Sequence, residues 1–178
     1  LQRLEVLKAF QTLKTLGSYA DDGSPNRNWN DTTALVIQGQ AALQVMGDWA
    51  QGEFQVAGQK PGEDYACLLG PLLPEPQNVR GGGDIFVFFK QNDPDVERAQ
   101  LALASLMVSP AVQAKFNTAK GSAPIRDDVD QSFANDCMKK ALAVLAKPDA
   151  LVPDQNIWRN EAFATAQNAI FSDLIYND

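Results

Sequence analysis

The 178-residue sequence contains no histidine. That absence removes the usual general base, the commonest metal ligand and the imidazole of every Ser/His or Cys/His nucleophile pair. Cysteine is nearly as scarce. Cys67 and Cys137 are the two present, and their wide separation excludes a compact zinc motif or a C-x-x-C redox pair, while leaving a long-range disulfide and two buried free thiols both open. Long apolar runs are missing too: no stretch approaches the ~20 consecutive apolar residues of a membrane span, and the opening "LQRLEVLKAF" lacks the charged-then-apolar layout of a secretion signal. Positive charge is in short supply. With 15 basic against 22 acidic residues the net charge is -7, which repels phosphate backbones and anionic membrane surfaces, so nucleic acid is not an expected partner.

What is present is a 45% hydrophobic content, enough for one sizeable core with a smaller satellite in an ordinary globular protein. Leu4, Leu7, Phe10, Leu13 and Leu16 recur at helical spacing before Gly17, which predicts an amphipathic helix. A polar loop, "DDGSPNRNWND", follows, and Asp31 or Thr32 is expected to cap a short helix, "TTALVIQ", that ends at Gly39. "AALQVMG" and "YACLLGPLLP" are brief, apolar and bounded by Gly or Pro, and read as buried strands with a helical turn, "WAQGEFQVAG", between them. "DIFVFFK" carries the clearest strand signal, rich in β-branched and aromatic residues after Gly81, Gly82 and Gly83. Helices are predicted over "DPDVERAQLALASLMVS", "PAVQAKFNTA", "QSFANDCMKKALAVLAK" and "NEAFATAQNAIFSDLIYND", with "GSAPIRDDVD" as a loop. Strands separated by helices predict an α/β fold.

Few residues stand out chemically. Trp49 follows Gly47 and Asp48 directly after a predicted strand, and strand ends of open α/β sheets host ligands; burial in the core is the competing explanation, and it weighs more heavily for Trp29 and Trp158. Asp84 opens the "IFVFFK" strand behind three glycines, where it either meets a ligand or caps a turn. Lys120 stands at a helix end before Gly121, a place where a cation favours the helix dipole without any function. Arg126 is expected to anchor its loop by pairing with Asp127 or Asp128. Asp127, Asp128 and Asp130 lack the ligand ladder of a calcium loop and read as helix caps. "GGGD" lacks the Lys-Ser/Thr ending of a phosphate-binding loop, and no G-x-S-x-G elbow occurs.

Taken in order, "NWND", "GQAALQVMGDWAQGEF", "GGGDIFVFFK", "NDPDVERAQLALASLMVSPAVQAKFNTAKGSAPIRDDVD" and "ANDCMKKAL" resemble one family. They are similar to the C-terminal half of the extracellular, periplasmic sugar-binding proteins of ABC importers, the family 1 solute-binding type, nearest its glucose- and mannose-binding branch. The resemblance implies a periplasmic-binding-protein-like fold of type II, a non-enzymatic sugar-binding role, no cofactor or metal, a membrane permease as partner, and a periplasmic location with the signal outside this chain. In that family the tryptophan after "GD" stacks on the pyranose ring, the aspartate after the glycines accepts hydrogen bonds from sugar hydroxyls, and the lysine before "GS" donates to them; here these are Trp49, Asp84 and Lys120. Asp48 and Asn160 complete the expected ligand-binding set. The branch usually carries a histidine near "LVP", and the nearby candidates to replace it are Asn156, Asn160 and Trp158.

Family members are much longer and close two lobes over the sugar. The resemblance therefore implies that residues 1–83 are the first part of the C-terminal lobe, 84–130 a hinge strand with helices packing with the N-terminal lobe, and 131–178 the last helices of the C-terminal lobe. The missing N-terminal half of the same protein is then a partner, and this chain is a fragment or a truncated relative. An extracytoplasmic location favours a Cys67–Cys137 disulfide. Without the resemblance, two other functions fit the residues: a carbohydrate-active hydrolase with Asp48 and Asp84 as its carboxylates, or an interaction module without a small-molecule ligand.

Overall fold

The computed structural model describes residues 3–69, 79–80, 83–152 and 159–177. Among these, the regular elements are α1 (Arg3–Gly17), α2 (Trp29–Ile37), α3 (Gln51–Val56), β1 (Val79–Arg80), α4 (Pro94–Met107), α5 (Pro110–Lys120), α6 (Asp136–Leu145), β2 (Leu151–Val152) and α7 (Glu161–Tyr176), with 3-10 turns at Ser24–Asn26 and Asp48–Ala50. None of the described helices is long and apolar enough to cross a membrane. The chain divides into two compact units, one drawn from Leu1–Thr32 and Asp154–Asp178, the other from Thr33–Pro153.

In the first unit α1 packs on α7; of the apolar positions read as its buried face, Phe10 and Leu13 are half-buried, whereas Leu4, Leu7 and Leu16 are exposed. Phe10 meets Phe171 with ring centroids 6.0 Å apart at 55°. Ser24 Oγ and the Tyr176 hydroxyl share a hydrogen bond of 3.2 Å. Arg27 grips Asp21 with two guanidinium nitrogens at 2.6 and 2.5 Å, and that pairing holds the Asp21 carboxyl down at about 2. Asn160 caps α7, its side-chain oxygen accepting from the Phe163 amide at 2.8 Å.

The second unit is built around a small core of Ala50, Phe54, Val129, Ala134, Cys137, Met138, Val144 and Ala150. Phe54 stacks on Tyr65 at 4.2 Å between centroids, and partial burial there raises the Tyr65 pKa. Cys67 and Cys137 form the disulfide, with a Cα–Cα distance of 5.3 Å, and Lys140 Nζ donates to the Cys67 carbonyl at 2.8 Å beside it. The bridge ties the segment after Tyr65 to α6. Asp93 caps α4 by accepting from the Asp95 amide, and Asn135 caps α6 by accepting from the Met138 amide. α5 begins on Pro110 and ends at Gly121, whose φ of 81° is the left-handed conformation that stops a helix.

Several expectations are corrected. α2 opens at Trp29 rather than after Asp31 or Thr32, because the Asn28 carbonyl already accepts the Thr32 amide at 3.1 Å; Asp31 instead lies in the first turn, where its charge suits the helix N-terminus. α6 starts at Asp136 rather than Gln131, since Asp130 closes a turn on Ser132 with bonds of 2.9 Å to its amide and hydroxyl. Asp130 therefore caps that turn and Asp128 pairs with Arg126, so neither caps a helix.

The strand readings fare worst. Residues 41–47 are irregular, with Leu43 and Val45 exposed. Tyr65–Leu69 hold an isolated bridge between Pro61 and Tyr65, and the rest of that predicted strand lies outside the described residues. Residues 84–90 form no regular strand with any of the described residues, and the Phe89 carbonyl takes the Gln91 and Gln100 side-chain amides. Among the described residues, regular strand pairing is the short parallel match of Val79 with Leu151 and Arg80 with Val152. The physical reason is that β propensity measures the fit of a segment to a neighbouring strand, and residues 41–47 and 84–90 have no such neighbour among the described residues. Ile85 and Phe89 consequently stand 84% and 77% exposed.

Candidate functional site

Within the second unit, three short segments converge. Gly47 is extended, with φ -70° and ψ 167°, and leads into the 3-10 turn Asp48–Ala50. The turn sends its residues in diverging directions, since 3.0 residues per turn set neighbours about 120° apart. Ala50 is buried, whereas Trp49 is 44% exposed. The indole folds back over Gly47, in the space where a side chain on that residue would stand. Trp49 is thus held by backbone without belonging to the core.

Asp48 reaches the loop after α5. Its Oδ1 accepts from Ser122 Oγ at 2.9 Å and its Oδ2 from the Ala123 amide at 3.1 Å. One turn on, the buried Gln51 donates from Nε2 to the Gly121 carbonyl at 2.6 Å, and its Oε1 faces the Tyr65 hydroxyl at 3.5 Å. Gly121 is required twice over: its φ is positive, and a Cβ there would lie 2.5 Å from Gln51 Cβ.

Lys120, the last residue of α5, extends over the Phe116 ring at 5.9 Å and pairs with Asp84 at 2.6 Å, 36 residues away in sequence. Its position at the helix C-terminus favours the dipole as well, so both readings of this lysine hold together. Asp84 is the more exposed partner. Asp48 therefore links Trp49, its neighbour in the chain, to the loop that begins at Lys120, and Lys120 in turn reaches Asp84.

The remaining candidates lie elsewhere. Asn160 belongs to the first unit as the cap of α7. Trp29, expected in the core, is 40% exposed. Asn156, Trp158, Gly81 and Gly82 lie outside the described residues. Arg126 anchors its loop as expected: it grips Asp128 at 2.6 and 2.5 Å and donates to the Val108 carbonyl, just past the end of α4, at 3.4 Å. That pairing lowers the Asp128 pKa and raises that of Arg126.

Sequence reasoning missed Gln51 and Ser122, and the contact that Gly121 makes beyond stopping its helix, because their partners lie 70 or more residues away and leave no local signal. Depressions among the described residues of the unit include one of about 350 Å³ against Phe88, Phe89, Gln100 and Leu101 and another of about 350 Å³ against Gln59, Lys60, Phe133 and Met138. Neither is lined by Trp49, Asp84 or Lys120. No group of three or more His, Cys, Asp or Glu among the described residues is placed to hold a metal ion. The arrangement offers one aromatic surface together with charged donors and acceptors, a pairing suited to a molecule with apolar faces and a polar rim.

Comparison with known proteins gives a consistent pattern. Residues 2–146 match the family model described as bacterial extracellular solute-binding protein. A probable sugar-binding periplasmic protein of Brucella suis is 46% identical over 136 residues, covering 76% of this chain and 32% of that protein. One of Rhizobium meliloti with the same description is 38% identical over 170 residues, covering 96% of this chain and 40% of that protein. An uncharacterized ABC transporter extracellular-binding protein of Pyrococcus horikoshii is 31% identical over 161 residues, 88% of this chain and 35% of its own length. The chain spans between 32% and 40% of the length of these relatives.

Proposed function

The chain belongs to the bacterial extracellular solute-binding protein family, and from that premise we propose that it is the sugar-recognising part of a periplasmic binding protein serving an ABC importer. The observation that carries the reading is Trp49, an indole left 44% exposed, joined through its neighbour Asp48 to the loop of Lys120 and so to Asp84. The descriptions of the Brucella and Rhizobium relatives support a sugar as ligand and the periplasm as location. The description of the Pyrococcus relative supports an ABC permease as partner.

In this reading a glucose- or mannose-like monosaccharide lays an apolar C–H face on Trp49. Its hydroxyls donate to Asp84 and accept from Lys120, each such charge-assisted bond contributing about 1.5–3 kcal/mol. Asp48 stands at the same site. The fold is periplasmic-binding-protein-like, type II, with residues 1–83 and 131–178 in the C-terminal lobe and 84–130 packing with an N-terminal lobe. The exposed apolar run from Ile85 to Phe89 supports that partition, because it has the composition of a paired strand and no pair among the described residues.

No chemical step is involved: closure of two lobes around the sugar shifts the population from open to closed, and the permease recognises the closed form. Hydrolysis is the weaker alternative, since both oxygens of Asp48 already accept from Ser122 and Ala123, and Asp84 is paired with Lys120. The test is native mass spectrometry of the full-length protein against glucose, mannose, galactose and maltose. Stoichiometric addition of one sugar is the expected result. Uptake of none of them, or release of reducing ends from an oligosaccharide, overturns the proposal.

A further inference from the structure

We propose that Asp48 and Gln51 are positioning residues that clamp the loop Lys120–Ala123, so that Asp48 acts on a ligand through Lys120 rather than by touching it. The inference deepens the sugar-binding reading and rests on it. Two side chains from one turn of backbone hold three consecutive residues of the loop: Gln51 takes the Gly121 carbonyl, and Asp48 takes the Ser122 hydroxyl and the Ala123 amide. Gln51 and Ser122 are buried, at 4% and 6% exposure, so the Gln51–Gly121 bond is shielded from competing water and the Asp48–Ser122 bond partly so, while the Asp48–Ala123 bond is exposed.

The clamp joins two elements that carry the proposed contacts. Asp48 is covalently next to Trp49, and Gly121 is covalently next to Lys120. Gly121 approaches Gln51 so closely that only a residue without a side chain fits, which removes the slack by which the two segments would otherwise slide. Trp49 and Lys120, 71 positions apart in sequence, are therefore held in one register by groups that are neither of them. A ligand that needs an aromatic face and an ammonium at a set separation finds both already placed.

The experiment uses the full-length protein, with D-glucose as the probe and a double-mutant cycle between Asp48 and Lys120. Asp48→Ala is expected to weaken binding about tenfold in the wild-type background and to add little once Lys120→Met is present, because residues acting through one another are not additive. Fully additive losses mean that Asp48 contacts the sugar itself, and overturn the proposal. A ligand-free readout accompanies it: amide exchange at Ala123 and acylation of the Lys120 amine should both accelerate in Asp48→Ala. Asp48→Asn preserves volume and keeps one acceptor, which the Ala123 amide takes once the carboxamide turns its Nδ2 to Ser122 Oγ, but it loses the charge, so it should be intermediate and keeps the test valid where alanine disturbs folding. Unchanged exchange and acylation in both variants overturn the clamp whatever binds. Accelerated exchange in a protein that takes up no glucose supports the clamp and refutes glucose as the ligand.

Discussion

The six-membered ring of Trp49 occupies the place of a side chain on Gly47: a Cβ there would stand 2.1 Å from Cζ3 and 2.4 Å from Cε3. Any substitution at Gly47 must push the indole aside, although the backbone itself, at φ -70°, would accept another residue. Gly47→Ala should therefore leave the unit folded and displace Trp49. The expected outcome is a loss of about tenfold in affinity for the bound sugar by calorimetry, in line with the ~1–3 kcal/mol typical of overpacking, with unchanged far-ultraviolet circular dichroism. Trp49→Ala should abolish binding with the fold intact. Unaltered affinity in both variants would remove the indole from the site.

The Asp84–Lys120 pair separates binding from stability. Both side chains retain solvent contact, so the pair itself contributes only ~0–1 kcal/mol to folding, whereas each hydrogen bond to a sugar hydroxyl involves a full charge. Asp84→Asn and Lys120→Met should each cost about 10- to 100-fold in affinity. The midpoint of thermal unfolding should hardly move. A large drop in that midpoint with little change in affinity would make the pair structural.

The disulfide closes a loop of large span, with its cysteines 70 positions apart. Thiol labelling of the denatured, unreduced protein should be near zero, and two reactive thiols would contradict the bridge. Replacing both cysteines by serine should destabilise the unit by roughly 4 kcal/mol on the chain-entropy account, since the unfolded chain regains the freedom of that loop. Chemical denaturation of the oxidised and reduced forms measures it directly.

Acid should loosen the first unit in a defined window. Asp21 is held at about 2 against its ordinary 3.8, chiefly by its hydrogen bonds to Arg27. A depressed carboxyl contributes stability that is complete above the ordinary value and disappears as pH falls through the folded one, so the contribution of this pair fades between 3.8 and about 2. Carboxyl carbon NMR should give a midpoint for Asp21 near 2, and Arg27→Ala should move it up toward 3.8. A midpoint unaffected by Arg27→Ala would mean that the pair does not persist in solution.

Helices were legible wherever their signals are local. Pro110 and Gly121 bound α5 at both ends because a fixed φ and a left-handed turn are properties of single residues. Asp130 misled because an aspartate that caps a turn and one that caps a helix look alike in sequence. "DIFVFFK" misled for a different reason. Its composition suits a strand, but a strand exists only where a second segment accepts its backbone bonds.

The same division runs through the candidate site. Sequence alone determined which residues have suitable chemistry: an indole behind a glycine and an acid, an aspartate behind a glycine run, a lysine at a helix end. Tertiary structure decided what each of them meets, giving Lys120 to Asp84 and turning Asp48 toward Ser122 and Ala123. Backbone preference is set within a few residues of chain, whereas a hydrogen bond across 70 or more residues depends on which distant segments the packed core brings to within 3 Å or so of each other.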